Sequence, residues 1–154
     1  MGRDRVMEWI RDNGLGWRLH TFKHKVKTVE QAARLLNTTP DNIAKTIILI
    51  VEGKVYAAIL RGDTRLDIGK MAGLLGVNKS SIRIAKPEEV EEKTGYNVGG
   101  VPPVPLPRHV KIVVDRKVLE KERLYAGGGD QYTLMELDPR ELVEKIDVVI
   151  ADIS

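Results

Sequence analysis

AKTIILIV at residues 44–51, then Glu52-Gly53, then KVYAAIL at residues 54–60, is the stretch that decides the fold. The first segment is rich in β-branched residues and has no helical period, so it reads as a strand. Glu52-Gly53 supplies a two-residue turn, so the whole stretch reads as a central β-hairpin.

On the N-terminal side, residues 5–11 read as a short helix and WRLHTFKH, residues 17–24, alternates like a strand. Thr28-Val-Glu-Gln31 has the form of a capping box, with Thr28 as N-cap and Gln31 at the third helical position, opening a helix through Leu36. On the C-terminal side, Asp67 caps a helix over 68–75 that Gly76 ends. A brief strand at 81–85 precedes Pro87, which suits the first turn of a helix over 88–93 stopped by Gly95. GYNVGGVPPVPLP, residues 95–107, carries four prolines and three glycines and must be a stiff loop. Beyond it lie a strand at 110–114, a short helix at 115–121, and strands at 124–126 and 131–137 about a glycine turn. Asp138-Pro139 opens a helix to Lys145, and a strand at 148–150 closes the series. This irregular alternation predicts a mixed-sheet α+β domain rather than a doubly wound sheet.

At 154 residues, with 42% hydrophobic and 31% charged residues, the chain is expected to fold as one domain, 1–154. The absence of cysteine excludes disulfides, thiolate metal sites and a cysteine nucleophile. The first fourteen residues break their apolar positions with charges, leaving neither a signal-peptide core nor a membrane span, so no membrane is expected and a cytoplasmic location follows. A formal charge of +3 permits contact with a phosphate backbone without demanding it.

Lys45 sits at the entry to the apolar strand, where an ammonium can meet a phosphate or a developing oxyanion; the plain alternative is a lysine that keeps a strand end soluble. Gly99, Gly100, Val101, Pro102 and Pro103 form a turn whose glycines allow close backbone approach and whose prolines fix its direction, so it can offer preorganised N–H donors to a carbonyl; otherwise it is a rigid crossover. Gly128, Gly129 and Asp130, in the run that Gly127 opens, can approach a ligand or simply turn a hairpin, and lack both the GxGxxG spacing and the P-loop lysine. His20, His24 and His109 lack metal-ligand spacing, although His20 and His24 share a parity on one strand. No GxSxG occurs, so covalent serine catalysis is not expected.

Taken in order, TVEQAA at 28–33, Ile43-Ala-Lys-Thr46, RGDTRL at 61–66, TGYNVGGVPP at 94–103 and AGGGD at 126–130 resemble the YbaK/ProX family of free-standing tRNA deacylases and prolyl-tRNA synthetase editing domains. The resemblance runs from about residue 20 to the last helix. It implies a barrel-like mixed sheet flanked by short helices, and hydrolysis of the ester joining a mischarged amino acid to the 3′ end of tRNA, with proline tRNA carrying alanine or cysteine as the expected substrate. It further implies chemistry without a metal or cofactor, tRNA as partner and prolyl-tRNA synthetase as a candidate partner. Lys45 matches the family's activity-linked lysine, and residues 99–103 match its GxxxP loop, whose backbone holds the aminoacyl group. Pro102 stands where many relatives carry serine, which leaves the amino acid open. Two other readings remain: a non-catalytic module binding tRNA ends or a synthetase, and a nucleotide-binding domain.

Overall fold

The computed structural model describes residues 2–154, so of the expected domain only Met1 lies outside the described residues. In chain order the elements are α1 (Gly2–Asp12), β1 (Arg18–Thr21), α2 (Val29–Leu35), β2 (Ala44–Val51), β3 (Lys54–Arg61), α3 (Ile68–Leu75), β4 (Ile82–Ile84), α4 (Pro87–Thr94), β5 (Val110–Asp115), β6 (Leu124–Gly127), β7 (Thr133–Leu137), α5 (Pro139–Lys145) and β8 (Val149–Ala151). The expected mixed α+β class is what forms. Its strands divide over two sheets, and no closed barrel exists among the described residues.

The larger sheet has the order β4-β2-β3-β5-β8. The β2–β3 hairpin pairs in full register from Ala44 opposite Arg61 to Val51 opposite Lys54, turning through Glu52 and Gly53, both at positive φ. β5 and β8 add on in parallel. Both faces of the hairpin are covered. Ala44 and Ile59 join Trp17, Val114, Leu124, Met135 and Leu142 on one side, while Leu49, Val51 and Leu60 pack with Met71, Ala72 and Ile153 on the other. Burial on two faces is why this stretch carries a continuous apolar run instead of an alternating one.

The smaller sheet, β1-β7-β6, is antiparallel; it packs on the larger one through Leu124, Ala126, Met135 and Leu137, and among the described residues one parallel bridge, between Ile43 and Tyr125, links the two by backbone pairing. β1 ends at Thr21, so the strand expected to reach residue 24 stops short and the shared parity of His20 and His24 is lost. Tertiary bonds account for the break: the N–H groups of Phe22 and Val26 donate to the carbonyls of Tyr132 (2.8 Å) and Gln131 (2.7 Å), which bends the chain out of the sheet.

The caps follow the sequence closely. Thr28 Oγ1 accepts from the Gln31 N–H at 3.0 Å, satisfying one orphan donor of α2, while Gln31 Oε1 accepts from the Lys27 N–H at 2.7 Å, one residue ahead of the N-cap N–H that a full capping box would engage. Asp67 and Asp138 cap α3 and α5, and Gly76 and Gly95 end α3 and α4 in the left-handed region. The 95–107 loop is anchored by the buried Tyr96, whose hydroxyl donates to the Pro105 carbonyl at 2.7 Å while the Arg5 guanidinium lies 5.2 Å over its ring.

Candidate functional site

A cleft of about 310 Å³ opens where the two sheets meet. β4 pairs with residues 49–51 of β2, the Ala85 N–H just beyond it donates to the Ile48 carbonyl at 2.9 Å, and the smaller sheet bridges to Ile43, so the stretch between, with Ile48 at its end, forms the floor. The walls are Val26, Val29 and Ala32 around α2, Ile84, Ala85 and Val90 around α4, Val98, Gly99 and Val101 from the 95–107 loop, and Ala126, Gly127 and Leu134 from the β6–β7 pair. The lining is mainly aliphatic, with Lys27, Thr28, Lys45 and Thr46 as its side chains bearing polar ends. That pattern, an apolar hollow with a few placed polar groups, suits a small ligand of mixed character.

Lys45 lies half-buried on β2 opposite Leu60, and its ammonium donates to the Thr64 carbonyl. The RGDTRL segment makes that acceptor available. Arg61 clamps Asp63 with two bonds of 2.7 and 2.9 Å, and Thr64 closes the turn by donating from its N–H and its hydroxyl to the Arg61 carbonyl, at 3.0 and 2.7 Å. Gly62 is needed there, because a Cβ would stand 2.6 Å from the Pro40 carbonyl oxygen. No carboxylate pairs with Lys45 among the described residues. Burial lowers its pKa from the usual lysine value, the carboxylates of Glu30 and Asp63 oppose that, and Arg65 adds a smaller push downward. An ammonium has three donors, so a cation held by one carbonyl can still direct its others into the cleft.

The expected loop residues divide into two groups. Gly99, at φ +89°, and Val101 line the cleft, and neither of their N–H groups has a partner among the described residues. Gly100 turns the other way: its N–H donates to the Asn97 carbonyl at 2.9 Å and its own carbonyl accepts from the Gly129 N–H at 3.0 Å. Pro102 and Pro103 are buried behind the loop. Gly128 and Gly129 are buried as well, and Asp130 caps its own turn by accepting from the Tyr132 N–H at 2.9 Å. Of the 126–130 segment, Ala126 and Gly127 reach the cleft, while Gly128, Gly129 and Asp130 do not. The space freed by the glycines is taken by the chain itself: Gly127 lies against the Val101 carbonyl, and Gly100 against the backbone of Asp130.

Sequence reading missed the aliphatic walls, because nothing in a sequence separates a pocket-lining valine from a core one. It also missed Lys27, for which the basic run FKHKVK at 22–27 was the available signal. His20 Nε2 donates to Glu136 Oε1 at 3.2 Å, and none of the three histidines lines the cleft. Among the described residues no group of three or more His, Asp or Glu is placed to hold a metal ion, and no helix is long and apolar enough to cross a membrane.

A family model for the aminoacyl-tRNA editing domain matches residues 23–145. The chain belongs to this family. It is 31% identical over 109 residues to a proline–tRNA ligase of Thermoanaerobacter sp. (strain X514), covering 71% of this chain but only 19% of the ligase. It is also 29% identical to the uncharacterised protein YwhH of Bacillus subtilis, covering 92% of this chain and 87% of that one. Among solved structures, the hypothetical protein APE2540 superposes with a TM-score of 0.90 at 45% identity, covering 97% of this chain and 98% of that one. A candidate trans-editing enzyme for prolyl tRNA synthetase superposes with a TM-score of 0.88 at 29% identity, covering 99% and 96%.

Proposed function

We propose that this editing domain, acting as one unit over residues 1–154, hydrolyses mischarged aminoacyl-tRNA in trans, with proline tRNA carrying alanine or cysteine as substrate. The observation that carries the reading is that Lys45 lines one small, mainly aliphatic cleft together with Gly99 and Val101, whose N–H groups have no partner among the described residues. In this reading Lys45 holds the terminal nucleotide and the two N–H groups hold the aminoacyl carbonyl, whose oxygen gains charge as water adds to it. Gly100, Pro102, Pro103, Gly128, Gly129 and Asp130 serve from behind, fixing the loop.

Water adds to the ester carbonyl carbon, the bond from that carbon to the ribose oxygen breaks, and the ribose oxygen leaves with a proton. Free amino acid and uncharged tRNA result. An aminoacyl ester is already activated, so positioning and oxyanion stabilisation suffice, and the reaction is proposed to need neither metal nor cofactor. The aliphatic walls admit a small side chain and exclude larger ones by clash. The setting is cytoplasmic, with prolyl-tRNA synthetase as the partner that supplies mischarged tRNA.

The test is a panel of mischarged tRNAs incubated with the protein, including proline tRNA carrying alanine, cysteine or proline. Release of alanine or cysteine, lost in Lys45→Ala, is expected. No release above buffer for any pair, or full activity in the variant, refutes the proposal.

A further inference from the structure

We infer that the bulge at residues 22–27, together with Tyr132, is a landing track for the single-stranded 3′ end of an RNA, leading into the cleft. The inference rests on the editing reading for the direction of that strand, because the terminal nucleotide is taken to occupy the cleft.

Lys23, His24, Lys25 and Lys27 are all exposed, and none has a side-chain partner among the described residues. Elsewhere many cations are neutralised: Arg61 by Asp63, Lys70 by Asp152, Arg83 by Glu89, Lys121 by Asp41 and Arg123 by Glu136. In a chain of net charge only +3, the three unpaired lysines 23, 25 and 27 within five consecutive residues make a local field. That field lies at the cleft's mouth, since Lys27 and the buried Val26 beside it are part of the lining.

The segment is held, not loose. It is pinned by the bonds from Phe22 and Val26 to the carbonyls of Tyr132 and Gln131; Lys23 and Lys25 between these two residues, and Lys27 just after them, are exposed. The same turn reaches the opposite wall, where Gln131 Nε2 donates to the Val98 carbonyl at 2.7 Å. One turn therefore fixes the basic bulge relative to the Gly99 loop. On that turn Tyr132, whose carbonyl holds the Phe22 N–H next to Lys23 in the chain, is 40% exposed and so offers an aromatic surface. A positive path interleaved with an aromatic face is the arrangement that binds single strands, with phosphates on the cations and a base on the ring. A duplex would use the cations but has no free base face to offer the ring.

The test is fluorescence anisotropy with an uncharged RNA hairpin bearing a four-nucleotide single-stranded 3′ end, alongside the same hairpin made blunt, over a range of KCl. Lys23→Ala/Lys25→Ala/Lys27→Ala should flatten the slope of log affinity against log salt by about 2 for the overhang RNA, at roughly 0.7 per phosphate contact. Removing the same number of charges at Lys54, Lys79 and Lys111, which do not line the cleft, should leave the slope near wild type. Tyr132→Ala should weaken the overhang RNA on the order of tenfold, without changing its slope or affecting the blunt hairpin. An unchanged slope in the triple variant, equal loss in the control variant, or equal loss of both RNAs in Tyr132→Ala overturns the inference, as does no binding by the unaltered protein. The RNA is uncharged, so hydrolysis does not enter. A protein that releases amino acid but fails these arms overturns the track alone, and one that binds as described but releases none overturns the editing reading alone.

Discussion

Replacing Gly100 by alanine tests whether the two glycine loops are docked on each other as the site requires. The φ of Gly100 is not in the left-handed region, so the added methyl brings no backbone strain and its whole effect is steric. Its Cβ would stand 2.6 Å from the Asp130 carbonyl carbon, 2.8 Å from its Cα and 3.0 Å from its oxygen. All three are backbone atoms that no rotamer change can move aside. The closest is about 0.8 Å short of the 3.4 Å at which ordinary contact begins, so the loops must part by roughly that much. The Gly129 N–H to Gly100 carbonyl bond, now 3.0 Å, would then stretch to about 3.8 Å and cease to count. A lost hydrogen bond and an overpacked contact together cost about 2–4 kcal/mol. For a domain of this size that lowers the melting temperature by roughly 5–15 °C. The loop that moves carries Gly99 and Val101, and a displacement near 1 Å at a positioning group costs on the order of a hundredfold in rate. Thermal unfolding followed by circular dichroism and deacylation of mischarged tRNA read the two effects separately. A Gly100→Ala protein that melts within about 2 °C of wild type and keeps full activity would refute the docking argument.

Lys45→Met should lower deacylation by at least about a hundredfold while leaving the melting temperature unchanged or higher, because the replacement removes a charge whose burial opposes folding. Val90→Ala widens the cleft wall and should raise hydrolysis of a larger aminoacyl group relative to alanine by roughly tenfold, measured as a ratio of kcat/KM values. Glu89, which holds α4 against β4, has its carboxyl pushed down to about 2, first by Arg83 and next by the Lys86 N–H. A depressed carboxyl stabilises the fold above its unfolded value of 4.5 and loses that contribution as pH falls toward 2. Arg83→Ala should therefore melt lower than wild type at pH 6, with the gap closing by pH 2, and a gap that is constant across this range would contradict the assignment.

What the sequence disclosed depended on the range of the interaction. Caps and turns are local, so Thr28 with Gln31, Glu52-Gly53, Asp67, Gly76, Pro87 and Gly95 appear where residue chemistry puts them. The division into two sheets was not visible, because it rests on β1 pairing with β7 more than a hundred residues away and on backbone pairing between the sheets being confined to the bridge of Ile43 with Tyr125. The strand at 17–24 failed for the same reason, cut by distant carbonyls at Gln131 and Tyr132 that no local pattern announces. At the site, Lys45 and Gly99 were legible as unusual chemistry in unusual backbone, and the structure brings both to the cleft. The glycines at 128 and 129 were legible only as freedom to approach something, and what they approach is the chain's own backbone.

That distinction explains how a fold with few spare polar groups comes to have a binding surface at all. Backbone N–H groups in a packed domain are nearly always used, by ladders, caps or turns. Here the use alternates along the loop: Gly100 spends its N–H on Asn97 and its carbonyl on Gly129, and by doing so holds the flanking Gly99 and Val101 with theirs unspent. The floor arises in the same way, since backbone pairing from the β4 side stops at Ile48 and the bridge from the smaller sheet stops at Ile43, leaving the β2 edge between them without a paired strand. A longer β4 would complete the ladder, satisfy the edge as sheets ordinarily do, and fill the cleft. The seam between two incompletely joined sheets is therefore the physical origin of the site, and Lys45 is the cation placed on it.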